Sequence, residues 1–150
     1  MGEYRCFLVK PQDVHKIWNG IEPIIQKSLN TMQYGQGQGI KYLIPEDYQI
    51  LMENDLVQPF ITVKDKEIKI IAITQIQPYP RFHVLRWMLC GGKELKYCYN
   101  ILADKIEEFA RIKECTYMMI SGRKGLKRSL EAMGWGEMKD THQINLMKEL

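Results

Sequence analysis

Two segments bring glycine or basic side chains together where a predicted strand meets a predicted helix. The first is the run Met88-Leu89-Cys90-Gly91-Gly92-Lys93. The second, residues 121–129, places four basic side chains within six positions: Arg123, Lys124, Lys127 and Arg128. Glycine lets backbone amides approach a ligand, and a helix N-terminus carries a positive dipole, so both segments are candidate phosphate sites. A tight turn and a solvated helix start are the alternative explanations, and Glu94 would oppose an anion at the first segment.

Few side chains in this sequence are candidates for catalysis. His83 or Glu46 could act as a general base. His83 and Cys90 lie on one predicted strand at an odd separation, which should place them on opposite faces. We therefore expect no Cys–His pair and a buried Cys90. The histidines are scattered and the cysteines form no CxxC pair, so we predict no metal site.

Composition predicts one soluble domain that covers residues 1–150. Hydrophobic residues make up 45% and charged residues 26% of the 150 residues, which is typical of a globular protein. The formal charge of +3 is too small to indicate nucleic-acid binding by itself. No apolar run is long enough for a membrane helix, and four cysteines without close pairs favour reduced thiols in a cytoplasmic protein.

Hydrophobic spacing predicts the elements of the N-terminal two thirds. We expect a strand at 4–9, then a helix that opens near Pro11 and that Pro23 should break or kink. The glycine-rich stretch 30–44 reads as a loop, and a second helix begins at Pro45. Short turns should join three strands, 60–63, 68–76 and 82–89, into an antiparallel meander that ends at Gly91-Gly92.

The order of elements changes after the glycine pair. Residues 94–112 have a helical pattern, and 115–120 is an apolar strand, so a parallel crossover is predicted. A short helix at 125–133 and closing strands at 135–138 and 143–147 complete the chain. The fold class is therefore α/β (α+β), with a mixed sheet and helices on both faces. Both candidate phosphate segments follow strand C-termini, where α/β folds bind ligands.

This order of elements resembles the GNAT N-acetyltransferase superfamily, and in detail the small GNAT-like proteins of bacteriophages. The resemblance covers nearly the whole chain. The stretches that carry it are 14–18, 73–76 ahead of Tyr79-Pro80, 106–111, 114–115, 122–125, Leu130 and Met133-Gly134-Trp135.

The resemblance implies an acyl-CoA co-substrate, most simply acetyl-CoA. Strands 82–89 and 115–120 would receive the pantetheine arm, with Met88, Leu89 and Cys90 beside it. The amides of Gly91, Gly92 and Lys93 would hold the pyrophosphate, while Arg123 and Lys127 would reach the nucleotide phosphates.

The same resemblance implies that an amine attacks the thioester directly, and the acceptor is a small-molecule or protein amine. His83, Glu46 or water would take the amine proton. An acid would protonate the departing thiolate, and Ser129 is the only hydroxyl between Arg123 and Met133.

Two departures from the family pattern leave alternatives open. The pyrophosphate loop lacks the usual Gln/Arg-x-x-Gly-x-Gly/Ala run, and the short helix lacks the tyrosine that often serves as the acid. A non-catalytic GNAT-like phage protein, acting as a virion component or as a binder of a host protein, is the first alternative. Nucleic-acid binding through the basic segment is a weaker one. A homodimer is compatible with the sequence.

Overall fold

A five-stranded mixed sheet organises the chain, with its strands in the spatial order β1-β2-β3-β4-β5. The computed structural model describes residues 2–31, 43–120, 131 and 134–136. The strands are β1 (Arg5–Leu8), β2 (Gln58–Lys64), β3 (Glu67–Pro78), β4 (His83–Gly92) and β5 (Cys115–Ile120). Strands β1 to β4 pair antiparallel and β5 pairs parallel to β4. The predicted meander and the parallel crossover are both confirmed.

Helices cover both faces of this sheet. A 3-10 turn at Pro11–Asp13 leads into α1 (Val14–Thr31), and α2 (Pro45–Glu53) follows. Both pack on one face, while α3 (Leu95–Ile112) connects β4 to β5 across the other. The predicted fold class is therefore confirmed. None of the helices in the described residues combines the length and apolar character needed to cross a membrane.

Helix α1 continues through Pro23, so the predicted break is wrong. A proline inside a helix removes one backbone hydrogen bond, here the one to the carbonyl of Asn19. Asn19 and Pro23 are both exposed, so water can satisfy that carbonyl. Ile21 and Ile25 are fully buried on the opposite side and hold the helix against the sheet.

The core consists of one cluster on each face of the sheet. The α1 side collects Val14, Ile21, Ile25, Tyr48, Met52, Ile71, Ile73 and Leu89, among others. The α3 side collects Phe60, Leu85, Trp87, Cys98, Tyr99, Leu102, Ile106 and others. Side chains that alternate along β3 and β4 contribute to the two clusters in turn, as a sheet covered on both faces requires.

A β-bulge interrupts this alternation in β4. Ile73 pairs with Leu89 but the next residue, Thr74, pairs with Trp87, so Met88 is the extra residue. A bulge of this kind bends the strand and increases its twist. Gly91 and Gly92 pair with β3 and are the last residues of β4. The strand therefore extends beyond the predicted residue 89 and ends at the glycine pair, as predicted.

Several predicted elements lie outside the described residues. These are most of the glycine-rich stretch 30–44, the short helix at 125–133 and the closing strands, apart from residues 131 and 134–136. Within the described part, β5 borders the sheet beside β4, so its predicted central position stays a prediction.

We predict that Gly92→Ala destabilises the fold by about 2–3 kcal/mol. Gly92 has φ of +129°, and a Cβ there would overlap the backbone carbonyl of Lys69. Gly136→Ala is the matched control, because nothing lies within 4 Å of its added Cβ. Urea unfolding of both variants measures the difference. Equal midpoints for the two alanine variants would contradict the prediction.

Candidate functional site

Strands β4 and β5 run side by side for only part of their length. Their paired residues extend from His83 and Cys115 to Trp87 and Ile120, whereas β4 continues to Gly92. The bulge at Met88 immediately follows the last pair. Beyond Trp87, no strand within the described residues pairs with β4 on this side. We call this side of β4 beyond the Trp87–Ile120 pair, which has no paired strand among the described residues, the gap. It lies at the C-terminal ends of two parallel strands, a common ligand position in α/β folds.

The peptide groups along the end of β4 alternate between the gap and β3. The amide of Lys93 donates to the carbonyl of Lys69 at 2.8 Å. The antiparallel ladder therefore directs the peptide groups of Leu89 and Gly91 towards β3 as well. Those of Cys90 point the other way, towards the gap. The amide of Lys93 is therefore engaged by β3. Pyrophosphate binding by the amides of Gly91, Gly92 and Lys93 stays a prediction.

Packing accounts for the glycine pair at the end of β4. A Cβ on Gly91 would overlap the hydroxyl of Ser28 on α1, and one on Gly92 would overlap the carbonyl of Lys69. Both glycines are therefore needed for the close approach of α1 and β3. They are not by themselves evidence of a ligand cradle.

The N-terminus of α3 lies beside the gap, and its electrostatics differ from the expectation. Glu94 occupies the N-cap position with φ of 64°, yet its side chain caps no helix amide. Its carboxylate instead accepts a hydrogen bond from Tyr4 Oη at 2.7 Å and pairs with Lys69 Nζ at 3.1 Å. Glu94 is therefore neutralised away from the first turn, where the amides of Leu95 and Lys96 lack helical partners.

This network fixes the charge states around the start of α3. The hydrogen bond to Glu94 raises the pKa of Tyr4 to about 12. Hydrogen bonds from Tyr4 and then Lys69 lower the pKa of Glu94. Hydrogen bonds to Glu67 and Glu94 raise the pKa of Lys69. At neutral pH the cluster therefore holds a neutral phenol, two carboxylates and one ammonium. Lys93 adds an exposed cation next to it.

The structure describes two of the three predicted catalytic residues, His83 and Glu46, and each lies at an exposed position of a different element. His83 is exposed at the start of β4, about 16 Å along the strand from Met88. Glu46 is exposed in the first turn of α2, where its charge complements the helix dipole. Ser129, Arg123 and Lys127 lie outside the described residues.

The two apolar residues predicted to contact the donor have different environments. Leu89 is 2% exposed beneath α1, and with its backbone paired to β3 it offers nothing to the gap. Met88 is half-buried at the bulge and packs against the α1-side cluster. Met88 therefore remains a candidate for contact with the donor, whereas Leu89 is a core residue.

Cys90 packs against the α3-side cluster, and burial raises the pKa of its thiol to about 12. The expectation that it lies on the opposite face from His83 is wrong, because the extra residue Met88 reverses the alternation after Trp87. The two side chains nonetheless cannot meet, since seven residues of strand span about 20 Å. The conclusion that they form no catalytic pair holds for this different reason.

Sequence reasoning overlooked an open area on the α1 side of the sheet. Helices α1 and α2 cover Ile73 and Leu89, but the alternation continues to Gln75 and, across the bulge, to Arg86. Arg86 is exposed although β4 has strands on both sides of it. A charged residue among the apolar residues of β4 was the available signal.

Comparison with solved structures identifies the architecture. A ribosomal-protein-alanine N-acetyltransferase from Brucella melitensis biovar Abortus 2308 superposes with a TM-score of 0.67 at 12% identity, over 97% of this chain and 100% of the other. A predicted acetyltransferase with acetyl-CoA from Clostridium acetobutylicum gives 0.68 at 12%, over 97% and 96%. An aminoglycoside acetyltransferase from an uncultured soil metagenomic sample, in complex with sisomicin, gives 0.66 at 12%, over 98% and 96%.

The chain has the GNAT acetyltransferase fold. Within this GNAT fold, β4 and β5 are the strands that the resemblance assigned to the donor. No protein-family model matches the sequence. No curated protein matches it either.

We predict that Tyr4 titrates with a pKa of about 12, above its ordinary value of 10.0, because Glu94 accepts its proton in a hydrogen bond. Glu94→Gln should move this pKa back towards 10.0. Since the folded pKa exceeds the unfolded one, the contribution of Tyr4 to stability is complete below about pH 10 and is lost as the pH rises towards 12. NMR titration of ¹³C-labelled tyrosine measures each phenol.

Glu107→Gln provides the control, because Glu107 pairs with exposed Arg111 on the far part of α3. It should leave the titration of Tyr4 unchanged. A wild-type Tyr4 that titrates at its ordinary value, or a Glu94→Gln variant with an unshifted Tyr4, would contradict the assignment.

Proposed function

We propose that the protein is an acyl-CoA-dependent N-acetyltransferase that transfers the acetyl group directly to an amine. The observation that carries this proposal is the gap that opens between β4 and β5 beyond the Trp87–Ile120 pair. It occurs in a chain whose fold is that of acetyltransferases, one of which was solved with acetyl-CoA.

The residues beside the gap fit an extended donor that carries phosphates. The peptide group of Cys90 faces the gap and can hydrogen-bond an amide of the pantetheine arm, much as a neighbouring strand would. The uncapped start of α3 and the side chain of Lys93 suit a phosphate. Arg123 and Lys127 are proposed to reach the remaining phosphates.

Acetyl-CoA supplies an acyl group activated as a thioester, so that the amine nitrogen bonds to the carbonyl carbon while the carbon–sulfur bond breaks. Because His83 lies at the other end of β4, we assign removal of the amine proton to water or to Glu46 rather than to His83. The leaving sulfur takes a proton from Ser129 or from water. Binding and orientation at the gap then account for most of the catalysis.

The acceptor is proposed to be an amine on a small molecule or on a protein. Relatives in fold include an enzyme named for a ribosomal-protein alanine and one solved with an aminoglycoside. At 12% identity these relatives do not select between the two classes of acceptor for this chain.

We predict that acetyl-CoA binds the wild-type protein and that Lys93→Gln weakens binding about tenfold, since a charged hydrogen bond contributes about 1.5–3 kcal/mol. Lys105→Gln, on the exposed side of α3, should leave the dissociation constant unchanged. Isothermal titration calorimetry at low salt measures the dissociation constant for wild type and for the two variants. Absence of binding at millimolar acetyl-CoA would reject the proposal and favour the non-catalytic alternative.

We also predict that transfer involves no acetyl-cysteine, because the buried thiol of Cys90 stays protonated at neutral pH. Cys90→Ala should keep transfer within about twofold of wild type. Mass spectrometry after incubation with acetyl-CoA alone should find unmodified protein. An acetyl group on Cys90 that a subsequent amine removes would show that a covalent route operates instead.

A further inference from the structure

Arg86 lies in the open area, and the side chains around it are neutral. It pairs with Gln75 on β3 and with Met119 on β5. Directly opposed residues on a sheet have Cβ atoms about 5 Å apart, so these three side chains form one surface. Gln75 is half-buried and donates to the carbonyl of Leu56, which fixes that edge of the area.

Among the described residues, no carboxylate pairs with Arg86. The cations that form ion pairs there are Lys16, Lys69 and Arg111. The strand residues that share this face with Arg86 are neutral: Gln75, Gln77, Val84, Tyr117 and Met119. An exposed guanidinium on a middle strand, without a carboxylate beside it, favours an anionic ligand.

The position of Arg86 relates this area to the gap between β4 and β5. Arg86 immediately precedes Trp87, the last β4 residue that pairs with β5, and it lies two residues before the bulge at Met88. The opposite face at this level is filled by the rings of Trp87 and Tyr99, which stack with centroids 6.4 Å apart. Arg86 therefore lies on the α1 side of the sheet, next to the start of the gap.

We propose that Arg86 binds a carboxylate on the acceptor, so that the enzyme acts on amines of the amino-acid class, which carry both groups. This inference rests on the proposed function. The planar guanidinium matches a carboxylate with two parallel hydrogen bonds. A polycationic amine would instead place its further charges against Arg86.

The test compares acceptors that differ only at the carboxylate: lysine with lysinamide, and β-alanine with β-alaninamide. For each pair, the kcat/KM of the carboxylate member is divided by that of the amide member, in wild type, Arg86→Lys and Arg86→Gln. We expect wild type to favour the carboxylate member, and Arg86→Gln to lower that preference about tenfold while the value for the amide stays unchanged. Arg86→Lys should retain part of it, since charge remains without the planar fork.

Arg111→Gln is the matched control, since this exposed arginine lies on α3 on the opposite side of the sheet. It should keep the wild-type preference. Circular dichroism checks that each variant folds. A wild-type enzyme that acetylates both members equally, or a preference that survives in Arg86→Gln, would overturn the assignment of Arg86 and leave the proposed function intact.

A binding measurement separates this inference from the acetyltransferase activity. Without any donor, N-acetyl-β-alanine should shift the side-chain Nε–H resonance of Arg86 in ¹H–¹⁵N spectra, and N-acetyl-β-alaninamide should not. Equal or absent shifts would reject the carboxylate site even if transfer occurs. A selective shift in a protein that binds no acetyl-CoA would support the site and reject the proposed function.

Discussion

The structure depends on one constraint, namely that β4 pairs with β3 along its whole length but with β5 along only its first half. The bulge at Met88 makes both pairings possible, because it bends β4 directly after the last residue that pairs with β5. In this half, β4 lies close to α1 at Gly91 and to β3 at Gly92, where a Cβ would overlap the hydroxyl of Ser28 or the carbonyl of Lys69. The same bend turns the peptide group of Cys90 towards the gap instead of towards a neighbouring strand.

A second part of the molecule holds the start of α3 beside this gap. Tyr4 directly precedes β1, Lys69 lies on β3, and Glu94 is the last residue before α3. The carboxylate of Glu94 contacts both Tyr4 and Lys69. The carboxylate of Glu94 satisfies these two groups, so it does not screen the helix dipole or cap the first turn. Glu94 therefore does not by itself conflict with the proposed phosphate site at this helix start, although its position in the sequence suggests the contrary.

Periodicity predicted the elements well, because the apolar residues of α1, α3 and the strands follow their faces with few exceptions. Residues that act through distant partners were not predictable in this way. The negative charge of Glu94 is offset by Tyr4 and Lys69, which are far away in sequence. The face on which Cys90 lies depends on a bulge that no local sequence pattern indicates. The continuation of α1 through Pro23 was also not predictable from local sequence, because burial of Ile21 and Ile25 outweighs the tendency of proline to end a helix. Arg86 was overlooked for a related reason, since only the arrangement of α1 and α2 shows that their cover ends before Gln75.

The brevity of the β4–α3 connection bears on how a donor is held. Only Lys93 and Glu94 separate the end of β4 from the start of α3, and the left-handed conformation of Glu94 makes the turn. A longer, glycine-rich loop would surround a pyrophosphate with several backbone amides. Here the amide of Lys93 is already bonded to Lys69, so few backbone donors remain beyond the first turn of the helix. Side-chain cations must then supply a larger share of the attraction, and such attraction falls as salt increases. Under the proposed function, the donor is therefore held more by charge than by directed amide bonds.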